Sequence, residues 1–447
     1  MDPKVLFAKT PPVKLFFTAA LPGSVSMLAS ALYQLLDGLF VGQFLGSTSF
    51  AALNLAMPFV IINFALADLI GVGAAVPISI ALGRRDEKEA NNIFTCACLL
   101  IVGTGAAIGT VLYLAAPALI AMMGAEGDFA AQAVQYLRVY CLASPVTTMV
   151  FAADNFLRIS GFIRGSMALN LFMSVLSAVT EFLFLGVFHW EIWGAALATC
   201  GSMFVCALLA MVPFVLGRAQ LRFVRPRFRA SMFRQIVTCG APNFLNNIAG
   251  RITSTLLNAI LVRLGGEAAV SIYGILMYVD GFIQPLLYGM CDSLQPAVGF
   301  NWGAGKFSRV RAIEKCCFAA SALISLLSFG VILLCPEQIT RIFVQSPAGE
   351  MLQSTVGALR LFALTYVTRW FSFATQSYML AVEKPLPASL ISMGTALVFP
   401  VALIAALWPL GLTGIWLNFA GTALLSGLLA LGTLFKLRPQ LGRPDLG

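Results

Sequence analysis

Apolar residues run along this chain in stretches far longer than a β-strand, broken at clusters of charge, glycine and proline, and this pattern predicts helices. The stretches cover 13–44, 50–82, 91–116, 131–160, 164–187, 192–217, 236–263, 268–301, 312–335, 352–382, 386–407 and 411–436. Each reaches the roughly 20 residues that a helix needs to cross a bilayer core. Several are longer, which fits tilted helices that project from the membrane. The expected fold class is an all-α polytopic membrane protein with twelve transmembrane helices.

Lysine and arginine set the orientation. They fall before segment 1 (Lys4, Lys9, Lys14), after segment 2 (Arg84, Arg85, Lys88), after segment 4 (Arg158, Arg164) and between Arg218 and Arg234 after segment 6. They return after segment 8 (Lys306, Arg309, Arg311, Lys315), after segment 10 (Lys384) and in the tail (Lys436, Arg438, Arg443). The alternate loops, such as 46–49 and 408–410, carry none. Basic loops stay on the cytoplasmic side, so both termini are expected there, with the chain multi-pass in the plasma membrane.

The chain also repeats. A basic linker, 218–235, is expected to divide an N-terminal lobe, 1–217, from a C-terminal lobe and tail, 236–447. A shift of 220 lays Leu21-Pro22 on Ala241-Pro242, Leu82-Gly83 on Trp302-Gly303, and Gly194-Ala195-Ala196-Leu197 on Gly414-Ile415-Trp416-Leu417. One offset across six helices argues for duplication. An even number of spans per half makes the halves parallel repeats, with a substrate path expected between them.

Composition narrows the class. Of 447 residues, 59% are hydrophobic and 11% charged, with a mean hydropathy of +0.89; soluble domains carry about 25% charge. The net charge of +9 does not point to nucleic acid, because the basic residues are spread over short loops. Ten cysteines lie in or beside apolar runs and His189 is the one histidine, so neither a disulfide framework nor a zinc site is indicated. The N-terminus lacks the short apolar core and cleavage site of a signal peptide, so segment 1 is expected to remain.

Acids at membrane depth are the candidate chemistry, since each costs roughly 2.5 kcal/mol or more to insert. Asp37 lies in segment 1, fifteen residues beyond Pro22, where a missing backbone donor lets a helix bend. In segment 5, Ser177 and Glu181 are four apart and share a face. Under the 220 shift Asp37 falls on Leu257, beside Asn258, and Glu181 falls on Val401, so the acid pair belongs to one half alone. Asp154, Asn155, Asn258, Asp280 and Asp292 are candidates for a cavity or substrate path. Asp280 and Asp292, some 18 Å apart along one helix, cannot share an ion. Either lines a cation's path or pairs with an arginine such as Arg251. Asp68, with no second acid at helical spacing, reads as a structural partner. An intramembrane transferase would need clustered metal-binding acids or a nucleophile with its base, and no such motif is present.

The residues resemble the multidrug and toxic compound extrusion (MATE) family, within the group of multidrug, lipid-linked oligosaccharide and polysaccharide exporters. The resemblance rests on Leu21-Pro22 with Asp37-Gly38-Leu39-Phe40-Val41-Gly42, on Asn155-Phe156-Leu157-Arg158, and on Gly194-Ala195-Ala196-Leu197-Ala198-Thr199. In the second half it rests on Leu294-Gln295-Pro296, on 299–305 and on Gln376-Ser377-Tyr378. It implies a V-shaped pair of six-helix lobes that exports a substrate by alternating access against inward H⁺ or Na⁺. It groups the acid of segment 1 with an Asn-x-x-x-Asp pair on segment 5 and a threonine on segment 6. Those positions are held here by Asp37, Ser177, Glu181 and Thr199, with Asp37, Glu181 and Thr199 as the candidate Na⁺ ligands. Glutamate for aspartate and serine for asparagine are departures that favour H⁺, which needs no cage of oxygens. The implied partners are amphipathic, cationic organic molecules and the bilayer, with no cofactor beyond the coupling ion and a monomer as the working form. A flippase or exporter of lipid-linked or polysaccharide substrates is the rival; it calls for a cationic cavity, whereas the cavity candidates here are mostly acidic.

Overall fold

The computed structural model describes residues 3–343 and 349–445, with the side chains of residues 3–5, 34, 35 and 47 left aside. Nine helices among the described residues are long and apolar enough to cross a membrane. Two of them hold two spans each. Ala230–Gly303 is interrupted only at Gly266, whose backbone is not helical (φ 60°, ψ −150°), and Pro385–Leu441 turns at Trp408–Leu410. One further crossing, 349–381, is split at Leu364 into Gly349–Ala363 and Thr365–Ala381, each shorter than a span. The twelve crossings therefore stand at 12–45, 47–83, 87–122, 127–159, 163–187, 192–215, 230–265, 267–303, 307–334, 349–381, 385–407 and 411–441, called spans 1 to 12 below.

The observed helices outrun the apolar stretches at several ends, because a helix closes its own hydrogen bonds and continues into the polar interface. Span 3 begins at Glu87, capped by the Asp86 carboxylate, which accepts from the Glu89 backbone N–H at 3.1 Å. Large apolar side chains such as Leu114, Val111 and Leu334 stay exposed, as lipid-facing positions require. Two short helices, Pro3–Lys9 and Pro336–Phe343, were not foreseen from the apolar pattern, being too short to cross.

The duplication recurs in the turns. Left-handed backbone stands at Gly46 and Gly266, at Arg85 and Gly305, at Gly161 and Glu383, and at His189 and Gly411. The first two pairs are 220 residues apart and the last two 222. Glycine adopts this region freely, whereas an L side chain pays about 1 kcal/mol or more. Arg85→Gly is thus expected to raise stability slightly, with the thermal unfolding midpoint of the purified protein up by roughly 1–2 °C.

The chain forms two compact units, Met1–Thr10 with Val25–Gly240, and Pro11–Ser24 with Ala241–Gly447. The first turns of span 1 thus belong with the second unit, and those of span 7 with the first. In the first unit, Val41, Ile120, Tyr136, Leu185 and Cys200 share one apolar core. Glycines there admit close backbone approach: Gly73 packs on the Ile236 carbonyl and Gly240 on that of Leu69. The linker runs along the start of span 3, where Asn92 Oδ1 accepts from the Arg227 N–H at 2.8 Å and Thr95 Oγ1 from that of Val224 at 3.1 Å. In the second unit, Leu257, Phe362, Tyr366 and Trp416 form the core. Gly23 packs against Gly289, and the Ser24 hydroxyl donates to the Leu286 carbonyl at 3.0 Å.

Candidate functional site: an acid pair in the first unit

Span 5 is an inside-out amphipathic helix. Its buried stripe, Ser166, Ser174, Ser177 and Glu181, is polar at helical spacing, while Phe172, Val175 and Val179 are exposed. In water this pattern would be reversed; in lipid the apolar face is the outer one. The α-helix ends at Glu181, and the next turn, Phe182–Val187, is a π-helix, a widened turn that often marks functional positions.

Span 1 brings Asp37 to that stripe and span 6 brings Thr199. Exposure falls to 3% at Asp37, 0% at Glu181, 1% at Ser177 and 2% at Thr199. Asp37 stands within interaction range of both Glu181 and Thr199. The structure adds Tyr33, one turn before Asp37 on the same face. Its hydroxyl donates to Thr199 Oγ1 at 2.9 Å and lies close to Ser177. Hydropathy does not mark Tyr33, although its spacing of four from Asp37 is a usable signal. Tyr136 and Tyr140 of span 4 pack ring against ring (centroids 5.1 Å apart) close to Asp37.

Several polar atoms of this cluster are unsatisfied. Among the described residues, both Glu181 carboxylate oxygens, Asp37 Oδ1 and the Ser177 hydroxyl have no hydrogen-bond partner although buried. Ionised carboxylates only accept, and like charges side by side in a dry interior repel strongly. Two bare carboxylates here are therefore costly unless a proton or a cation sits with them.

The other sequence candidates are placed elsewhere. Asp154 is bound by Arg158 (2.5 Å), by Asn170 (2.8 Å) and by the Ser166 hydroxyl, tying span 4 to span 5. Asn155 donates back to the Phe151 carbonyl of its own helix at 3.3 Å. Asn258 is half-buried in span 7. Asp280 pairs with Arg369 at 2.8 Å and accepts from the Tyr366 hydroxyl at 2.6 Å, while Arg251 is exposed. Asp292 accepts from Gln295 at 2.9 Å and from Ser377 at 3.3 Å. Pro22 lies inside span 1, two residues before Ser24, where the division between the units falls.

A family model described as MatE matches residues 22–183 and 242–404. This chain belongs to the MatE family. The two matched blocks begin 220 residues apart, the interval that superposes the halves of the sequence. As a member it is a multi-pass membrane transporter and not an enzyme. Multidrug export protein MepA of Staphylococcus aureus (strain NCTC 8325 / PS 47) is 25% identical over 445 residues, covering 97% of this MatE chain and 96% of that protein. Among solved structures, a MATE protein in complex with MaL6 superposes with a TM-score of 0.93 at 22% identity, over 99% of both chains. A MOP superfamily transporter from Pyrococcus furiosus Vc1 superposes with a TM-score of 0.91, again at 22% identity and 99% of both. Likeness of that kind establishes the twelve-span MATE fold.

Proposed function

We propose that this MatE protein is an antiporter that exports amphipathic organic cations in exchange for H⁺ or Na⁺, with Asp37 and Glu181 as the loading site. The observation that carries this reading is the buried pair of acids in which both Glu181 oxygens and Asp37 Oδ1 lack donors among the described residues. A proton on Glu181 turns an acceptor into a donor facing Asp37. A Na⁺ ion instead takes the cluster as a set of oxygens, with Ser177 and Thr199 completing it. Multidrug export by the relative MepA supports organic cargo, and the acidity of the cluster favours cations over anions.

Coupling requires that ion and cargo bind the two conformations differently. Loading the acids cancels the attraction for a cationic cargo, and span 1 rearranges about Pro22, releasing the cargo outward. A one-for-one exchange of cations moves no net charge, so the drive is the coupling ion's concentration gradient, about 1.4 kcal/mol per tenfold. In this reading both termini are cytoplasmic, the two halves act as lobes about the basic linker, and the monomer is the working unit.

The test is efflux of a fluorescent organic cation from proteoliposomes under an imposed gradient. With Na⁺ absent, a pH gradient drives export if H⁺ couples; with pH equal on both sides, a Na⁺ gradient does so if Na⁺ couples. Absence of export under both gradients overturns the antiport reading.

A further inference from the structure

Within the second unit, spans 7, 8, 10, 11 and 12 line a cavity of about 270 Å³, mostly apolar with a few polar groups. It sits at the small end of ligand pockets, which run to about 1,000 Å³. Its chemistry differs from that of the acid pair. Its charged members are Asp280 and Arg369, and they neutralise each other. Asp280 Oδ1 already accepts from Tyr366 and from Arg369 Nη1. Arg369 carries five N–H donors in a planar fork, and its side chain remains 23% accessible against 12% for Asp280. Of the two charges, the positive one is the more accessible to a ligand.

A second group points the same way. Thr365 lines the cavity four residues before Arg369, on the same face of span 10. Its hydroxyl is buried, at 3% exposure, and has no hydrogen-bond partner among the described residues. A buried hydroxyl left unpaired costs about 1–3 kcal/mol. Aromatic rings supply the remaining wall: Tyr288 meets Phe373 with centroids 3.7 Å apart, and Tyr273 stacks on Phe419 at 6.1 Å. The π-turn Gly394–Val398 interrupts span 11 here, and its Ala396 carbonyl accepts from Thr253 at 2.5 Å.

We propose that this cavity binds a small aromatic carboxylate, its carboxylate held by the Arg369 guanidinium and the Thr365 hydroxyl and its ring seated among the aromatic walls. A guanidinium fork matches a carboxylate in geometry and charge. Asp280 holds the fork in place, so little freedom is lost on binding. The site is independent of the acid pair and of which ion drives transport.

The experiment titrates the purified full-length protein with benzoate, benzamide and benzylammonium, following heat by calorimetry. Benzoate is expected to saturate in the millimolar range or below, with benzamide at least tenfold weaker and benzylammonium not saturating. The double variant Asp280→Asn with Arg369→Gln removes both charges together and leaves no lone buried ion, so it retains the fold. It should weaken benzoate at least tenfold, and Thr365→Val several-fold. Equal binding of benzoate to the double variant, preference for benzylammonium, or no saturable benzoate binding overturns the proposal.

Discussion

Asp37→Asn is expected to abolish gradient-driven export while leaving the protein folded, and Glu181→Gln to do the same. Each exchange keeps the shape of the side chain and removes its ability to ionise. The loading site then presents the same charge in every state, so ion and cargo no longer oppose each other and their coupling vanishes. A fall in export of at least tenfold corresponds to losing about 1.4 kcal/mol of coupling, which lies within the usual range. Stability should move the other way. Glu181 is fully buried and both its oxygens lack partners, so a neutral amide relieves a burial cost, and the unfolding midpoint should hold or rise. The double variant should be no worse in transport than either single one, because the two acids act as one unit. Tyr33→Phe, which removes only the 2.9 Å bond to Thr199, should slow export a few-fold. The measurement is efflux from proteoliposomes alongside thermal unfolding. Full export by both single variants would sink the loading-site reading.

The spans were legible because lipid imposes one rule, that backbone groups be satisfied within a helix, and long apolar runs are its direct trace. The duplication was legible for a similar local reason: positions such as Gly46 and Gly266 occupy corresponding turns with the same left-handed backbone. Asp37 and Glu181 stood out because an acid in an apolar run is costly. Tertiary pairing left no such trace. Asp280 and Arg369 are 89 residues apart on different spans, and nothing near Arg369 separates it from Arg251 or Arg360 as a partner. The break at Leu364 was equally hidden, since hydropathy continues across it. Nor did the apolar pattern reveal that Pro11–Ser24 belongs with the second unit; that grouping follows from close packing, which depends on glycine at two distant positions.

Gly289→Ala should therefore be strongly destabilising, whereas Gly281→Ala, two turns earlier on span 8, should stabilise. A methyl at Gly289 would stand 2.6 Å from the Gly23 carbonyl oxygen and 2.8 Å from both the Gly23 carbonyl carbon and the Ser24 Cα. These are backbone atoms, which cannot turn aside as a side chain would. Span 1 must shift bodily, and the Ser24 bond to the Leu286 carbonyl goes with it. Overpacking of this kind costs about 1–3 kcal/mol, and Gly289→Leu should prevent assembly of the unit altogether. At Gly281 an added methyl meets nothing within 4 Å. The same Gly→Ala exchange there gains only the helix preference, about 0.5–1 kcal/mol. Thermal unfolding of the two purified variants gives opposite signs if close approach to span 1 is what glycine provides. Two shifts of the same sign would mean that Gly289 serves only as another helical residue. Because Pro22 adjoins Gly23, Gly289→Ala should also slow export beyond what its lost stability explains, as the hinge of span 1 would no longer rest on span 8.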